Sequence, residues 1–476
     1  MLDLKYTYLT LPSLFHSLTK PSSFPKPEIF LSNNQLYKKF NLSIRNKDKL
    51  LDIILDEKYH EKSFAQAYAG HQFGHFTKLG DGRAIIIGEY LTKINNRVDI
   101  QLKGAGITEY SRNGDGKATL RSMLREYLIS EAMYYLNIPT SRSLAVIKTG
   151  EDIFREAKED GGLLVRIMKS HIRVGTFEYA SYFSSVNDLK KLTYYTIARL
   201  CPELKDKENP PLELLNFVMH KQIELVINWM RIGFIHGVMN TDNTSISGES
   251  FDYGPCAFIN SYDPYKVYSS IDFNGRYSFG NQAKIIKWNI ARFAESLLPL
   301  INHNKEKSII LAQSVLDKFD EIWREKYYLM MLKKIGINSN KEKLYPLVDD
   351  LLYIMKKNNL DFTNTFFSLS YENFKTSNII INIDFIKWKK RRDHIIRKSN
   401  SIKDSMLTMK KSNPIVIPRN NLVHKAIEDA VNGDTALINK LLGLYSNPYK
   451  YKDGLDEFMT PPSSDFEKCF QTYCGT

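Results

Sequence analysis

Cysteine is scarce. The 476 residues hold four, Cys201, Cys256, Cys469 and Cys474, and no two are spaced as C-x-x-C. A disulfide scaffold and a thiolate zinc site are therefore not expected. Long apolar runs are also missing. Nothing approaches the ~18 consecutive apolar residues a membrane helix needs, so no membrane partner is expected. The opening MLDLKYTYLTLPSLFH carries an acid at Asp3. It lacks the basic, apolar and small-residue order of a secretory signal and the Arg/Ser bias of a transit peptide, so a cytoplasmic location is the expectation. No internal repeat is visible, and a monomer is expected. No RNP, KH or zinc-finger pattern is present, so nucleic acid is not an expected partner despite a net charge of +13. Apolar residues, at 43%, and aromatics, at 12%, are plentiful enough for a large core, which excludes disorder.

The excess positive charge is local. Lys387 to Lys411 holds ten basic residues against two acids. Trp388, Ile395 and Ile396 interleave with them, the pattern of a solvated amphipathic helix.

Taken in order, residues 1–60 are Pro-dotted and rich in Leu, Phe and Tyr, with a short helix expected at Lys47–Asp56. They read as an arm packed on the body. From Phe64 to Glu89 glycines are dense, at Gly70, Gly74, Gly80, Gly82 and Gly88. Ala84–Ile87 reads as a buried strand. The Gly-Asp-Gly-Arg before it, Gly80 to Arg83, can bring backbone N–H groups close to an anion because no Cβ intervenes. Arg97–Lys103 alternates as a strand and ends in a lysine. A buried ammonium needs a partner. The following helix, with apolar positions at Leu120, Met123, Leu124, Tyr127 and Leu128, carries Glu126 at the border of its stripe. Strands are expected at Ser143–Lys148, Asp152–Glu156 and Gly162–Arg173. Beyond Gly175 the pattern turns helical, with helices expected at Asp188–Leu200, Pro211–Ile232, Ile285–Ile301, Ile309–Ile335, Tyr345–Asn358 and Asp361–Ser370. The expected units are an arm over 1–60, a sheet-rich lobe over 61–175, a helical lobe over 176–412 and a helical extension with a Cys-bearing tail over 413–476.

Between the second long helix and Pro255 lies FIHGVMNTDNTSISGESFDYGP. Asp242, Asn243 and Asp252 fall within eleven residues. The spacer Thr244–Ser250 has the length of a hairpin that would return Asp252 beside Asn243. Oxygen-only ligands of this kind suit a hard divalent cation completed by water and phosphate. In chain order the sequence thus offers a Gly-rich turn, a strand lysine, a helix glutamate, an Asp-Asn pair and an Asp-aromatic-Gly. That is the layout of an α+β, protein-kinase-like two-lobe fold handling ATP, with Asp252-Tyr253-Gly254 in place of D-F-G. Two departures stand out. There is no H-R-D-x-x-x-x-N segment, since HGVMNTDN sets Asp242 directly before Asn243. Ile85 stands where a third glycine would fall.

The motifs GHQFG, LGDGR, QLKGAG-x-T-x-YSR-x-GDG, LR-x-x-x-REYL-x-SEAM, LLVRI-x-x-SH-x-R-x-G, HGVMNTDN and DYGP resemble the selenoprotein O family from about Leu11 to the C-terminus. The resemblance implies a pseudokinase fold that binds ATP flipped and moves AMP to Ser, Thr or Tyr hydroxyls of protein substrates. It implies nucleotide contacts from Gly80, Gly82, Arg83, Lys103, Asp115, Gly116, Arg166, Arg173 and Asp252. Lys103 pairs with Glu126, and Asp242 accepts the proton. Asn243 and Asp252 hold Mg²⁺ or Mn²⁺. It also implies redox control through a tail cysteine. Cys474 stands at that tail position, but the matching loop position is Val267 or Tyr268, and Cys256 is the nearest loop cysteine. A Cys256–Cys474 bridge is the corresponding expectation. A kinase proper and a catalytically silent nucleotide-binding scaffold are the alternatives.

Overall fold

The computed structural model describes residues 3–39, 48–92, 96–371, 382–399 and 401–473. Lys47, Asn400 and Cys474, which figure in the expectations above, lie outside them.

Among the described residues, nine strands build one sheet: β1 (Leu4–Lys5), β2 (His16–Leu18), β3 (Glu28–Ser32), β4 (Phe64–Gln72), β5 (His75–Gly80), β6 (Ala84–Leu91), β7 (Arg97–Lys103), β8 (Arg142–Phe154) and β9 (Lys158–Met168). Their order is β2-β4-β6-β7-β9-β8-β3, with β1 on β6 and β5 on β4. The arm therefore contributes strands to the sheet. Its helices, Asn34–Lys39 (α1) and Asp48–Leu55 (α2), supply Leu36, Tyr37, Leu50 and Ile54 to a cluster with Ile85, Ile87, Ile100, Leu102, Val165 and Ile167. Successive strand side chains alternate between faces. Leu102 and Ile100 bury on the arm side, which sends Lys103 and Gln101 to the other face. There Gln101 is in register with Arg166, and Lys103 with Leu164. The period of two is what points Lys103 and Arg166 at the same neighbour.

That neighbour is α3 (Leu120–Tyr135), started by the Thr119 hydroxyl accepting the Ser122 N–H. The two strands expected over 143–156 form one, β8, with a register shift between Lys148 and Asp152. The third expected strand stops at Met168, and Arg173 instead starts α4 (Val174–Phe183). The Arg173 N–H donates to the Thr176 hydroxyl at 3.2 Å. The expected strand ran through Ile172 to Arg173, but this local cap takes over the backbone.

The rest is helical: α5 (Val186–Leu200), α6 (Pro210–Ile232), α7 (Gln282–Ile301), α8 (Lys305–Leu316), α9 (Phe319–Lys334), α10 (Tyr345–Lys357) and α11 (Phe362–Ser370). The single helix expected at 309–335 is two. No Gly or Pro marks the break, and both Val315 and Phe319 stay buried across it, so the apolar pattern carries no stop signal. The basic segment forms α12 (Ile383–Ser399) and α13 (Ile402–Ser412). Trp388 and Ile396 are buried, while Lys387, Lys390, Arg391, Arg397 and Lys398 are exposed. Helices α14 (Asn420–Val431) and α15 (Ala436–Tyr445) pack back onto α3. This is a mixed α+β molecule, a β-rich N-terminal sheet against a helical C-terminal part, in the two-lobe arrangement of protein kinases.

Candidate active site

Lys103, at the end of β7, bonds to Glu126 of α3 and lies 2.5 Å from Asp252 Oδ1. Arg166 of β9 donates to the same Oδ1 at 2.6 Å. Its Nε and second Nη hold Gln101 Oε1 at 3.1 and 2.6 Å, which fixes the guanidinium plane. Glu126 is 4% exposed, so its side chain is buried rather than at the stripe's border. Two cations and two carboxylates interlock where charges gain most from pairing and lose most from its removal. Burial alone would raise the Asp252 carboxyl, but Arg166 and Lys103 outweigh it and hold it well below the usual range. Asp252 also has φ 61°, a left-handed backbone that non-glycine residues adopt at a cost of about 1–3 kcal/mol and that collects at functional sites.

The loop carrying Asp242 is set by α6, which ends in left-handed Gly233, φ 74°. The chain then forms strand β10 (Phe234–Ile235), paired with β11 (Ala257–Phe258). His236 Nε2 bonds the Phe251 carbonyl at 2.9 Å, tying the start of the loop to the residue before Asp252. The spacer Thr244–Ser250 is not a hairpin. Ser245 bridges to Arg173 and Ser250 to Thr140, so the spacer is held by other elements. Asp252 returns through His236, and the Asn243 side chain donates instead to the Val238 carbonyl at 3.1 Å.

The tip of the β4–β5 hairpin lies on this loop. The His71 N–H donates to the Thr241 hydroxyl at 2.7 Å, and the Phe73 N–H to Asn240 Oδ1 at 3.2 Å. A Cβ at Gly70 would sit 2.3 Å from Asp242 Oδ1. A Cβ at Gly175 would sit 1.9 Å from the Ala69 carbonyl. Both glycines are therefore required by close approach. Under the hairpin Asp242 is buried, and its Oδ1 has no hydrogen-bond partner among the described residues. Burial raises its carboxyl to about 6, against the pull of Arg173. Arg173 reaches the Asp242 carbonyl at 3.3 Å and Asp81 at 3.4 Å, with its guanidinium 4.0 Å from the Tyr68 ring. Phe251 lies between Arg166 and Arg173, 5.4 and 5.1 Å from their guanidinium carbons.

A family described as "Protein adenylyltransferase SelO" matches residues 1–445. The chain belongs to this family. Among its relatives, the "Protein nucleotidyltransferase YdiU" of Pelagibacter ubique is 48% identical over 475 residues, covering 99% of this chain and 98% of the relative. The proteins of the same name from Clostridium botulinum (strain Loch Maree) and Bacillus cereus are 47% and 45% identical, each covering 100% of this chain and 98% of the relative.

Against the SelO pattern, the expected residues divide into groups. Lys103, Glu126, Arg166 and Asp252 converge, and Arg173 joins Asp242. Gly80 and Gly82 lie in the same lobe, but the room their missing side chains leave is filled: Cβ atoms there would meet the Tyr110 ring at 2.2 Å and its carbonyl at 2.9 Å. The packing of the Tyr110 loop therefore requires both glycines. Arg83 carries the carbonyl that accepts the Gly104 N–H at 2.7 Å. Asp115 faces outward to Arg155, 2.8 Å away, and Gly116 takes the Gly106 N–H on its carbonyl at 3.0 Å. Cys256 is buried with its thiol on the Tyr253 carbonyl at 3.2 Å, and burial pushes it up to about 11.

Sequence reasoning missed several SelO site neighbours: Gln101, Asp81, Phe251, and the group His71, Glu178 and Thr241. Glu178 accepts the Thr241 hydroxyl at 2.5 Å and lies 2.5 Å from His71 Nδ1. Burial raises the Glu178 carboxyl to about 7, and burial with Arg292 lowers the His71 imidazole. Distance alone would make this an ion pair. Both shifts work against a charged pair. The GHQFG glycines were the available signal for this hairpin, since Phe73 and Gly74 at its tip both have positive φ.

No helix is long and apolar enough to cross a membrane among the described residues. Among them, no three His, Cys, Asp or Glu side chains cluster as metal ligands. The oxygen donors nonetheless fit a hard cation. Lys103 and Arg166 both use Oδ1 of Asp252, Asp242 Oδ1 is orphaned, and the Asn243 amide donates through nitrogen, leaving its oxygen as acceptor.

Proposed function

We propose that this chain carries AMP from ATP to Ser, Thr or Tyr hydroxyls of proteins and releases pyrophosphate. The observation that carries the reading is the meeting of Lys103, Arg166, Glu126 and Asp252 near a buried Asp242 oxygen that has no hydrogen-bond partner among the described residues. Family membership supplies the activity, and the site supplies residues suited to each part of it.

In this reading Lys103, Arg166 and Arg173 receive the outer phosphates of a flipped ATP. Arginine's planar fork suits phosphate oxygens, and Gln101 holds one such fork ready. Glu126 keeps Lys103 oriented when phosphate takes the place of Asp252 beside it. Asp242 Oδ1 takes the proton of the acceptor hydroxyl. The hydroxyl oxygen then bonds to the α-phosphorus. The bond from that phosphorus to the bridging oxygen breaks, and pyrophosphate leaves with the electron pair. Burial of Asp242 makes it a stronger base than an exposed aspartate. Asn243 and Asp252 would hold Mg²⁺ or Mn²⁺, which when bound offsets charge on the phosphates. Preorganised charge of this kind accelerates transfer without covalent catalysis. Gly80, Gly82, Arg83, Asp115 and Gly116 belong to the same proposal as nucleotide contacts.

The test is transfer with purified chain and ATP labelled at either phosphate. Label retained on protein from the α position, with Asp242→Asn inactive, supports the reading. Retention from the γ position alone supports a kinase, and binding without transfer a silent scaffold.

A further inference from the structure

Immediately outside the hairpin tip is a group of side chains that the chemistry above does not use. Trp288 of α7 is flanked by two guanidiniums, Arg276 and Arg292, each 5.0 Å from its ring. All three are partly exposed. Arg276 has no carboxylate partner among the described residues, while Arg292 pairs with Glu295 at 2.6 Å. The Nε atoms of both arginines are buried and unbonded among the described residues. Only one of the two arginines has a carboxylate among the described residues, which is an incomplete arrangement: each unpaired N–H in a partly dry setting favours an incoming oxygen.

The surface is continuous with the reaction loop. The Trp288 ring is 5.1 Å from His71, whose N–H holds Thr241, next to Asp242. Arg276 abuts Gly74 of the hairpin tip, and the adjacent Tyr277 hydroxyl bonds Asn240 at 2.5 Å. On the other side of His71 stand Phe76, 5.3 Å away, and Tyr182, 4.4 Å from Phe76 and 65% exposed. Lys78 adds a third cation beside them, 5.4 Å from the Phe183 ring. Of the nearby carboxylates, Glu178 is held near neutral by burial, and Asp272 is buried under the backbone N–H groups of Arg276 and Tyr277. Arg276, Arg292 and Lys78 thus face outward here, with Glu295 on Arg292 as the paired carboxylate.

We infer that this face docks the acceptor segment of the protein substrate, and that the segment it fits carries acidic residues a few positions from the modified hydroxyl. The inference rests on the transfer reading above. An extended segment advances ~3.3 Å per residue, so a hydroxyl at Asp242 leaves residues a few positions away at the Trp288 clamp. Carboxylates there complete the two guanidiniums, and aromatic or aliphatic neighbours cover Phe76 and Tyr182. Arg276 and Arg292 are thus specificity residues, outside the catalytic group.

Three synthetic peptides test this, sharing one core with Ser, Thr and Tyr acceptors and differing only in flanks of Glu, Gln or Lys. Transfer is followed with ATP labelled at the α-phosphate, alongside ATP affinity and melting temperature. The Glu peptide should exceed the Lys peptide in kcat/KM by tenfold or more, with the gap narrowing as salt rises. The double variant Arg276→Gln, Arg292→Gln should reduce that ratio to about one while ATP affinity and melting temperature hold. Arg276→Glu should invert it. Equal use of Glu and Lys peptides overturns the inference, as does a double variant that weakens ATP binding or slows all peptides alike. Lysate proteins labelled from the α-phosphate while no peptide is labelled also count against it. Absence of α-label on any protein is a different result, since it defeats the transfer reading itself.

Discussion

At the residue scale, charge pairing decides most of what a substitution does. Asp252 accepts from both Lys103 and Arg166. Asp252→Ala should lower α-label transfer by ~10²-fold or more, the scale seen when one preorganised charge is lost. Asp242→Asn should do the opposite to stability and activity. Burial disfavours the charged carboxylate at this position, so the neutral amide should raise the melting temperature by a few degrees while transfer stops. A differential scanning measurement with a transfer assay on the same sample checks both. Glu178 gives the pH dependence. Its folded carboxyl is raised to about 7 from an ordinary value of 4.5, so the folded state holds the proton more tightly. Its contribution is fully present below about 4.5 and is lost as pH rises towards 7. Melting temperature should therefore fall between pH 5 and 8, and Glu178→Gln should flatten that decline. An unchanged slope in the variant would show that the carboxyl is already ionised.

At the element scale, the β4–β5 hairpin is what brings the sheet onto the loop of Asp242. Gly70→Ala should push the strand from Asp242, costing ~1–3 kcal/mol as overpacking does and reducing transfer with it. Gly443→Ala in α15 meets nothing within 4 Å and should be neutral or slightly stabilising, which makes it the control. Urea melts of the two variants separate these outcomes. Elements with clean periodicity were legible in the chain: α3, α6 and β7 follow from spacing, while the Lys103–Glu126 pair came with the family resemblance. The hairpin tip was not, because its role depends on long-range approach between Gly70 and Asp242, which no local pattern encodes. The end of β9 was misplaced for a related reason. Ile172 and Val174 have strand propensity, but a cap at Arg173 and contact with Ala69 override it. Arg166 and Arg173 were singled out only by the family resemblance, and the structure sets them about Phe251.

At the scale of the whole molecule, the C-terminal helices brace the element that holds Glu126. Arg121 of α3 pairs with Glu428 of α14, and Arg231 and Tyr449 both bond the Leu136 carbonyl at the end of α3. Arg419, fully buried, pairs with Asp361 at 2.6 Å. Deleting residues 413–476 should expose the apolar back of α3 and leave Asp361 unpaired. The expected product is aggregated or melts well below the full chain, read by size-exclusion chromatography and thermal scanning. The tail itself returns to the loop after Asp252, where Thr472 N–H donates to the Tyr268 carbonyl at 2.8 Å. The α+β two-lobe plan was legible because each half has its own period and the motifs fall in kinase order. The nine-stranded extent of the sheet was not, since β1 and β2 are two and three residues long and owe their existence to pairing with β6 and β4. All of these parts serve one chemical claim, that the outer phosphates are gripped and the inner phosphorus is offered to a hydroxyl. Parallel incubations of the full chain with protein acceptor and ATP labelled at either the α- or the γ-phosphate test it most directly. The account predicts protein-bound label from the α position only, abolished in Lys103→Met; protein-bound label from the γ position, with none from α, would contradict it.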